Sequence, residues 1–129
     1  MRLLTASYGT WRREFGAPVV ASLSLPKWLP ESRAWPKCWA LTPRWRYFDA
    51  EEHVFELAYL EQLDSYGVNG ITTRLEQIAA ETDATTLVIC CFEADVFECH
   101  RGTFRSWWHE NTGEWISDLS ELTTRKEAP

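Results

Sequence analysis

The sequence has no long hydrophobic run. Nowhere do about eighteen apolar residues follow one another, which excludes an ordinary transmembrane helix. Positive charge is also scarce: 13 Lys and Arg stand against 19 Asp and Glu, a formal net charge of −6. That balance excludes a general polyanion binder and argues against adsorption to an anionic membrane. Contact with nucleic acid must then be local, or directed at one nucleotide. Cysteine occurs only at 38, 90, 91 and 99. The count is even, but the pattern is not a secreted disulfide framework. Cys90 and Cys91 are neighbours on one apparent strand, so they point to opposite faces and do not easily bridge each other. The expectation is a reducing, cytoplasmic setting. The opening residues, Met1 to Tyr8, lack the apolar stretch of a signal peptide and read as mature protein. No internal repeat or low-complexity tract appears.

What is present is apolar and aromatic. The 129 residues are 45% hydrophobic, with 8 Trp, 6 Phe and 4 Tyr, enough to bury a core. The length fits a single domain over 1–129. A first strand is expected over residues 2–8 and a second over 17–25. In the second, Val19, Ala21, Leu23 and Leu25 alternate with Val20, Ser22 and Ser24. Residues 26–47 read as irregular, because Pro26, Pro30, Pro36 and Pro43 interrupt any helix. A helix is expected to start at Asp49, capped with Glu52, and to stop at Gly67. A second helix follows over 70–82. The run Thr85 to Phe92 reads as a central strand buried on both faces. A helix from His100 to Asn111, a short strand over 114–119 and a frayed tail at 123–129 complete the chain. This order predicts an α/β fold with a small, mainly parallel sheet flanked by helices.

In such sheets, ligands gather where strands end and helices begin. Cys91, Glu93, Asp95, Cys99, His100 and Arg101 all fall at one such junction. Cys99 stands at the start of a helix, where unpaired N–H groups and the positive helix end lower a thiol pKa. His100 suits a general base or a metal ligand. Arg101 and Arg105 are one turn apart, and both suit an anionic group. Glu93, at a strand end beside an apolar wall, is expected to have a raised pKa and to suit acid–base work. It equally suits a pair with Arg101 that locks the turn.

The run from Leu87 to Trp108, LVICCFEADVFECHRGTFRSWW, resembles the signature of the family named domain of unknown function 488. The matching positions are Cys91, Glu93 and Cys99-His100-Arg101. Thr5 to Tyr8, Ser22 to Trp28, Ala40 to Pro43 and Tyr59 to Leu63 resemble further segments of that family, so the likeness spans roughly 2–120. The resemblance implies a compact α/β fold of the kind found in phages and bacteria. It also implies an uncharacterised activity linked to nucleotides or nucleic acid. One local departure is the acidic, aromatic connection Ala94 to Glu98, which does not suit a simple phosphate cradle.

The sequence thus offers Glu93, Cys99 and His100 as catalytic residues. Arg101, Cys91, Tyr8, Ser24 and Trp28 are offered as ligand-binding ones, with Tyr8 or Trp28 stacking on a base. Each has a plainer reading. Cys99 packs at a helix start, and Tyr8, Ser7, Ser24 and Trp28 line a core or its rim. Metal binding by Cys91, Glu93, Cys99 and His100 is the second reading of the cluster. No CxxC or HxxxH spacing supports zinc, and adjacent Cys99 and His100 share a site only in a favourable turn, so no metal ligand or cofactor is assigned. His53 and His109 read as exposed helix residues, Cys38 as packing, and Cys90 as a small hydrophobe facing away from Cys91. The leading expectation is an enzyme or binding domain for a nucleotide, nucleoside or nucleic-acid end. The alternative is a non-enzymatic module that binds a protein partner through its Trp-rich 26–47 segment, for example a phage or bacterial accessory protein.

Overall fold

The computed structural model of the chain describes residues 1–122, so the tail expected at 123–129 lies outside the described residues. Four strands form one all-parallel sheet: β1 (Arg2–Ser7), β2 (Ala17–Val20), β3 (Thr86–Cys91) and β4 (Ser117–Asp118). Their order across the sheet is β2-β3-β1-β4. β3 is central and pairs with β1 along its whole length, from Arg2 opposite Thr86 to Ser7 opposite Cys91. The helices are α1 (Trp45–Phe48), α2 (Glu52–Thr82) and α3 (His100–Thr112). The α/β class and the parallel sheet are therefore as the sequence predicts. Among the described residues, no helix is long and apolar enough to cross a membrane.

The alternation of side chains along a strand sorts the sheet into two faces. Leu3, Val19, Leu87 and Ile89 point to the side covered by α2 and α3, where Tyr59, Leu63, Ile71, Leu75, Ile78, Phe104, Trp107 and Trp108 complete the main core. Ile71, Leu75 and Ile78 are fully buried, each contributing about 1.5–3 kcal/mol by removal of its side chain from water. Leu4, Ala6, Tyr8, Val88 and Cys90 point to the other side. Among the described residues, no long helix covers that face. Trp11, Leu29 and Trp35 from the connections and Leu119 cover it instead, so part of the Trp-rich segment is core.

The last strand is two residues long, Ser117–Asp118, in place of the 114–119 expected, and three other boundaries differ for a visible reason. The second strand ends at Val20, not at 25, because Ser22 Oγ bonds the Tyr8 hydroxyl and donates to the Ser24 carbonyl, drawing the chain off the sheet. The helix expected at Asp49 begins at Glu52 and is capped by Glu51, which accepts from the His53 N–H; Asp49 closes α1 instead. The stop expected at Gly67 is a break inside α2, where φ is 73°. Glycine enters that left-handed conformation without the penalty a Cβ brings, so the two expected helices follow each other through one joint.

Candidate functional site

The C-terminal ends of β2 and β3 meet the start of α3, and the junction residues gather there. After Cys91 the chain makes a short connection, a turn of 3-10 helix at Val96–Glu98, and enters α3 at His100. Asp95 caps that turn by accepting from the Phe97 N–H at 2.9 Å. The turn lies so close to α3 that a Cβ on Gly102 would stand 2.2 Å from the Val96 carbonyl oxygen. Glycine at 102 is thus a packing requirement, and it fixes where Cys99 sits. Cys99 occupies the N-cap of α3, and its side chain makes no capping bond.

A cavity of about 100 Å³ opens here, lined by Ser22, Ser24, Pro43 and Phe48 on one side and Phe92, Glu93, Cys99 and His100 on the other. Four residues singled out from sequence, Ser24, Glu93, Cys99 and His100, are therefore brought together. A larger groove, about 590 Å³, lies at the opposite edge of the strands beside Ala17, Trp35 and Thr86, and its walls hold no thiol or imidazole. The smaller cavity is where the reactive groups are.

Below the cavity, the Cys91 and Cys99 sulfurs are in direct contact, across a Cα–Cα span of 7.8 Å. His100 stands beside them. Its Nδ1 is 3.7 Å from Cys99 Sγ, and its Nε2 is 2.6 Å from the Ala21 carbonyl oxygen. A carbonyl only accepts, so Nε2 carries the proton and Nδ1 offers its lone pair to the sulfur. Burial pushes the His100 pKa down to about 4; the Ala21 bond raises it, and the charge of Arg101 lowers it further. The ring is neutral at pH 7 and acts as an acceptor, not as a cation. Its face also meets Tyr59 edge-on, at 5.4 Å between centroids.

Arg101 does something other than hold a ligand. The expectation was an open guanidinium, but this side chain is wholly buried. Its Nε donates to Asp118 at 2.8 Å, its Nη1 to Cys91 Sγ at 3.2 Å and to the Glu93 carbonyl, and its Nη2 to the Ala94 carbonyl at 3.2 Å. It fastens the connection after β3 to α3 and β4. The ion pair the sequence offered to Glu93 is made by Asp118, and Glu93 contributes only its backbone carbonyl. The Glu93 residue is exposed at the cavity mouth, without the apolar enclosure expected for it.

Among the other expected ligand-binding residues, Tyr8 is buried one layer behind the cavity, with its hydroxyl 2.6 Å from Ser22 Oγ. Burial raises its pKa, against the Ser22 bond, so the phenol stays neutral. Tyr8 meets Phe92 edge-on, and its ring is not open to a base. Trp28 is exposed and is not part of the cavity wall. Arg105 donates to the Ile116 carbonyl and pairs with Glu121. Burial pushes the Cys90 thiol up to about 12, in keeping with a small hydrophobe. His109 is half-buried and stacks on Trp115. Sequence reasoning missed Asp118, Gly102, Ser22, Phe48 and Phe92. Only Asp118 left a clear signal, as a carboxylate within the apolar run Trp115 to Leu119.

No protein-family model matches this chain, and neither a curated protein nor a solved structure matches it.

Proposed function

We propose that this chain binds a nucleotide, or the end of a single strand of nucleic acid, and presents it to Cys99, His100 and Glu93. One observation carries the reading. The segment 32–48 holds Arg33, Lys37, Arg44 and Arg46 and no acidic residue, and it feeds Pro43 and Phe48 into the wall of the Cys99–His100 cavity. In a chain of net charge −6, this is a local reversal of sign in the segment that reaches the cavity. Its cations interleave with aromatic rings. Lys37 Nζ lies 4.5 Å over Trp39, and the Arg44 guanidinium lies 5.7 Å from the same ring. Cationic and aromatic groups in alternation follow phosphates and stack bases. Phe48 and Phe92, both nearly half exposed at the cavity mouth, offer the stacking faces expected of Tyr8 and Trp28. At about 100 Å³ the cavity is smaller than the roughly 300–1,000 Å³ of drug-sized sites, so it suits the reacting end of a ligand only.

This reading keeps the likeness of Cys91, Glu93 and Cys99-His100-Arg101 to domain of unknown function 488, and a reducing cytoplasmic setting. The test is fluorescence anisotropy with short single-stranded oligonucleotides and with labelled mononucleotides, on wild type, Phe92→Ala and Arg46→Glu. Binding that weakens about tenfold or more in each variant, and with rising salt in wild type, is the expected result. Equal binding by all three proteins, or none by wild type, sinks the reading. A specific observation favours a second one: Trp28, Trp39 and Trp45 are 64%, 53% and 70% exposed, as on a protein-binding surface. A partner that binds Cys99→Ser as well as wild type but fails with Trp45→Ala would favour it.

A further inference from the structure

We propose that Cys91 Sγ, Cys99 Sγ and His100 Nδ1 are three ligands of one tetrahedral zinc-class cation, whose fourth position opens into the cavity. This deepens the reading of the cavity as the reactive site and rests on it for the cation's role, but not for its binding.

The donor set is the first argument. These are the cluster of metal-ligating groups among the described residues, and their donor atoms all lie within 4.8 Å of one another. Zn–S and Zn–N bonds of about 2.3 and 2.0 Å at tetrahedral angles place ligand atoms roughly 3.5–3.8 Å apart. His100 Nδ1 already stands 3.7 Å from Cys99 Sγ, and the two sulfurs, in contact without an ion, move apart to admit one. The adjacency of Cys99 and His100 is no obstacle here. Cys99 is the extended N-cap residue and His100 the first helical one, and both donor atoms turn toward Cys91.

The surroundings are the second. A metal-bound histidine donates its other N–H to a carbonyl or carboxylate, which fixes the tautomer, and His100 Nε2 does this to Ala21. Cys91 Sγ accepts from the Arg101 guanidinium, a contact that favours a thiolate. Cys91 and Cys99 are both buried. Two buried thiolates are costly unless a divalent charge balances them; Arg101 itself is already balanced by Asp118. The third argument is the backbone. A Cα–Cα span of 7.8 Å lies beyond the roughly 4.4–6.8 Å of relaxed disulfides, so the two backbone positions leave room for the sulfurs to part around an ion. Three protein ligands with an open fourth position are the arrangement of catalytic, not structural, zinc. Ser22, Ser24 and Glu93 line the same cavity, where a bound water or a ligand oxygen would sit.

The experiment uses the full chain, purified under a thiol reductant. Metal content is measured by native mass spectrometry and elemental analysis, and cobalt(II) is titrated into chelator-stripped protein. The expected result is one zinc per chain. Cobalt should give the visible bands of a tetrahedral site and near-ultraviolet thiolate charge transfer. Both should fall to background in Cys99→Ser and His100→Ala and persist in Cys38→Ser. Stripped wild type that refolds but shows neither cobalt signal overturns the proposal, whatever the variants do. A mass two hydrogens lighter than the reduced chain, with Cys91 and Cys99 linked in a peptide digest under reductant, overturns it too. Oligonucleotide binding by the same stripped and reloaded samples separates the two readings. Stoichiometric metal without oligonucleotide binding ends the nucleotide reading alone, and binding without metal uptake ends the metal proposal alone.

Discussion

Replacing Asp118 by Asn would test whether one buried ion pair organises the junction. Asp118 and Arg101 are both fully buried, with Nε and Oδ1 2.8 Å apart. The carboxylate also accepts from Thr5 Oγ1 at 2.6 Å and from Ser120 Oγ at 2.6 Å. Asparagine keeps the shape, and its Oδ1 can still accept from Thr5 and Arg101, but its NH2 meets the Ser120 N–H that donates to the carboxylate, so the change removes the charge together with one acceptor. What remains is a guanidinium without a counter-ion in the interior, and breaking a buried pair in this way costs about 3–5 kcal/mol. A domain of this size is stable by about 5–15 kcal/mol, so the loss is roughly a fifth of the total or more. It corresponds to a fall in Tm of roughly 10–20 °C. Urea unfolding followed by tryptophan fluorescence measures it directly, with Glu81→Gln as the control. Arg74 and Glu81 are 3.6 Å apart and largely exposed, and such a pair contributes about 0–1 kcal/mol. Equal losses in the two variants would show that burial of the Arg101–Asp118 pair has been given the wrong weight.

Two further outcomes follow from the same junction. Gly102→Ala places a Cβ 2.2 Å from the Val96 carbonyl oxygen, so the turn at Val96–Glu98 must lift from α3, at about 1–3 kcal/mol. Urea unfolding checks the loss, faster alkylation of Cys99 checks the displacement, and a variant as stable and as slow to react as wild type contradicts the packing argument. On acidification, Asp118 gives a limb of known sign. Burial alone would raise its pKa, but the bonds from Arg101, Ser120 and Thr5 and the charge of Arg101 outweigh it, so the folded value is below the ordinary one. Its stabilisation is therefore complete above the unfolded value near 4 and is lost as pH falls through the lower folded value. Wild type should lose more stability than Asp118→Asn between about pH 5 and about pH 2, and parallel urea midpoints across that range would refute this.

The sequence exposed the parts of this molecule that follow from periodicity. Thr86–Cys91 belongs to a continuous, mostly apolar run with Thr86, Val88 and Ile89 β-branched, and it is the central strand. Phe104, Trp107 and Trp108 repeat at helical spacing and are buried. Gly67 is legible as a break because few other residues take its φ. The gathering of Cys91, Cys99 and His100 was legible as a place, since it lies where a strand meets a helix, but not as a geometry. The turn that closes it depends on the absence of a side chain at Gly102, and pattern reading passes over a glycine in a helix. Arg101 misled for a related reason. A basic residue at a helix start reads as ligand-facing, and only the arrival of Asp118 from the far end of the chain shows that its partner is internal. The Asp118 carboxylate is visible in the sequence, but its pairing with Arg101 is not.

The position of β3 between β1 and β2 has a consequence for how the chain is made. Neither early strand pairs with the other; each waits for residues 86–91. A ribosome that has released the first 85 residues has therefore released strands with no edge to join. Synthesis proceeds at about 5–20 residues per second, so β1 waits several seconds for its neighbour, longer than helices need to form. During that interval α2 can fold locally and shield its apolar side, and the sheet then closes in one step around the last central element to emerge. A chain cut short before Cys91 would have helices and no sheet to pack them on.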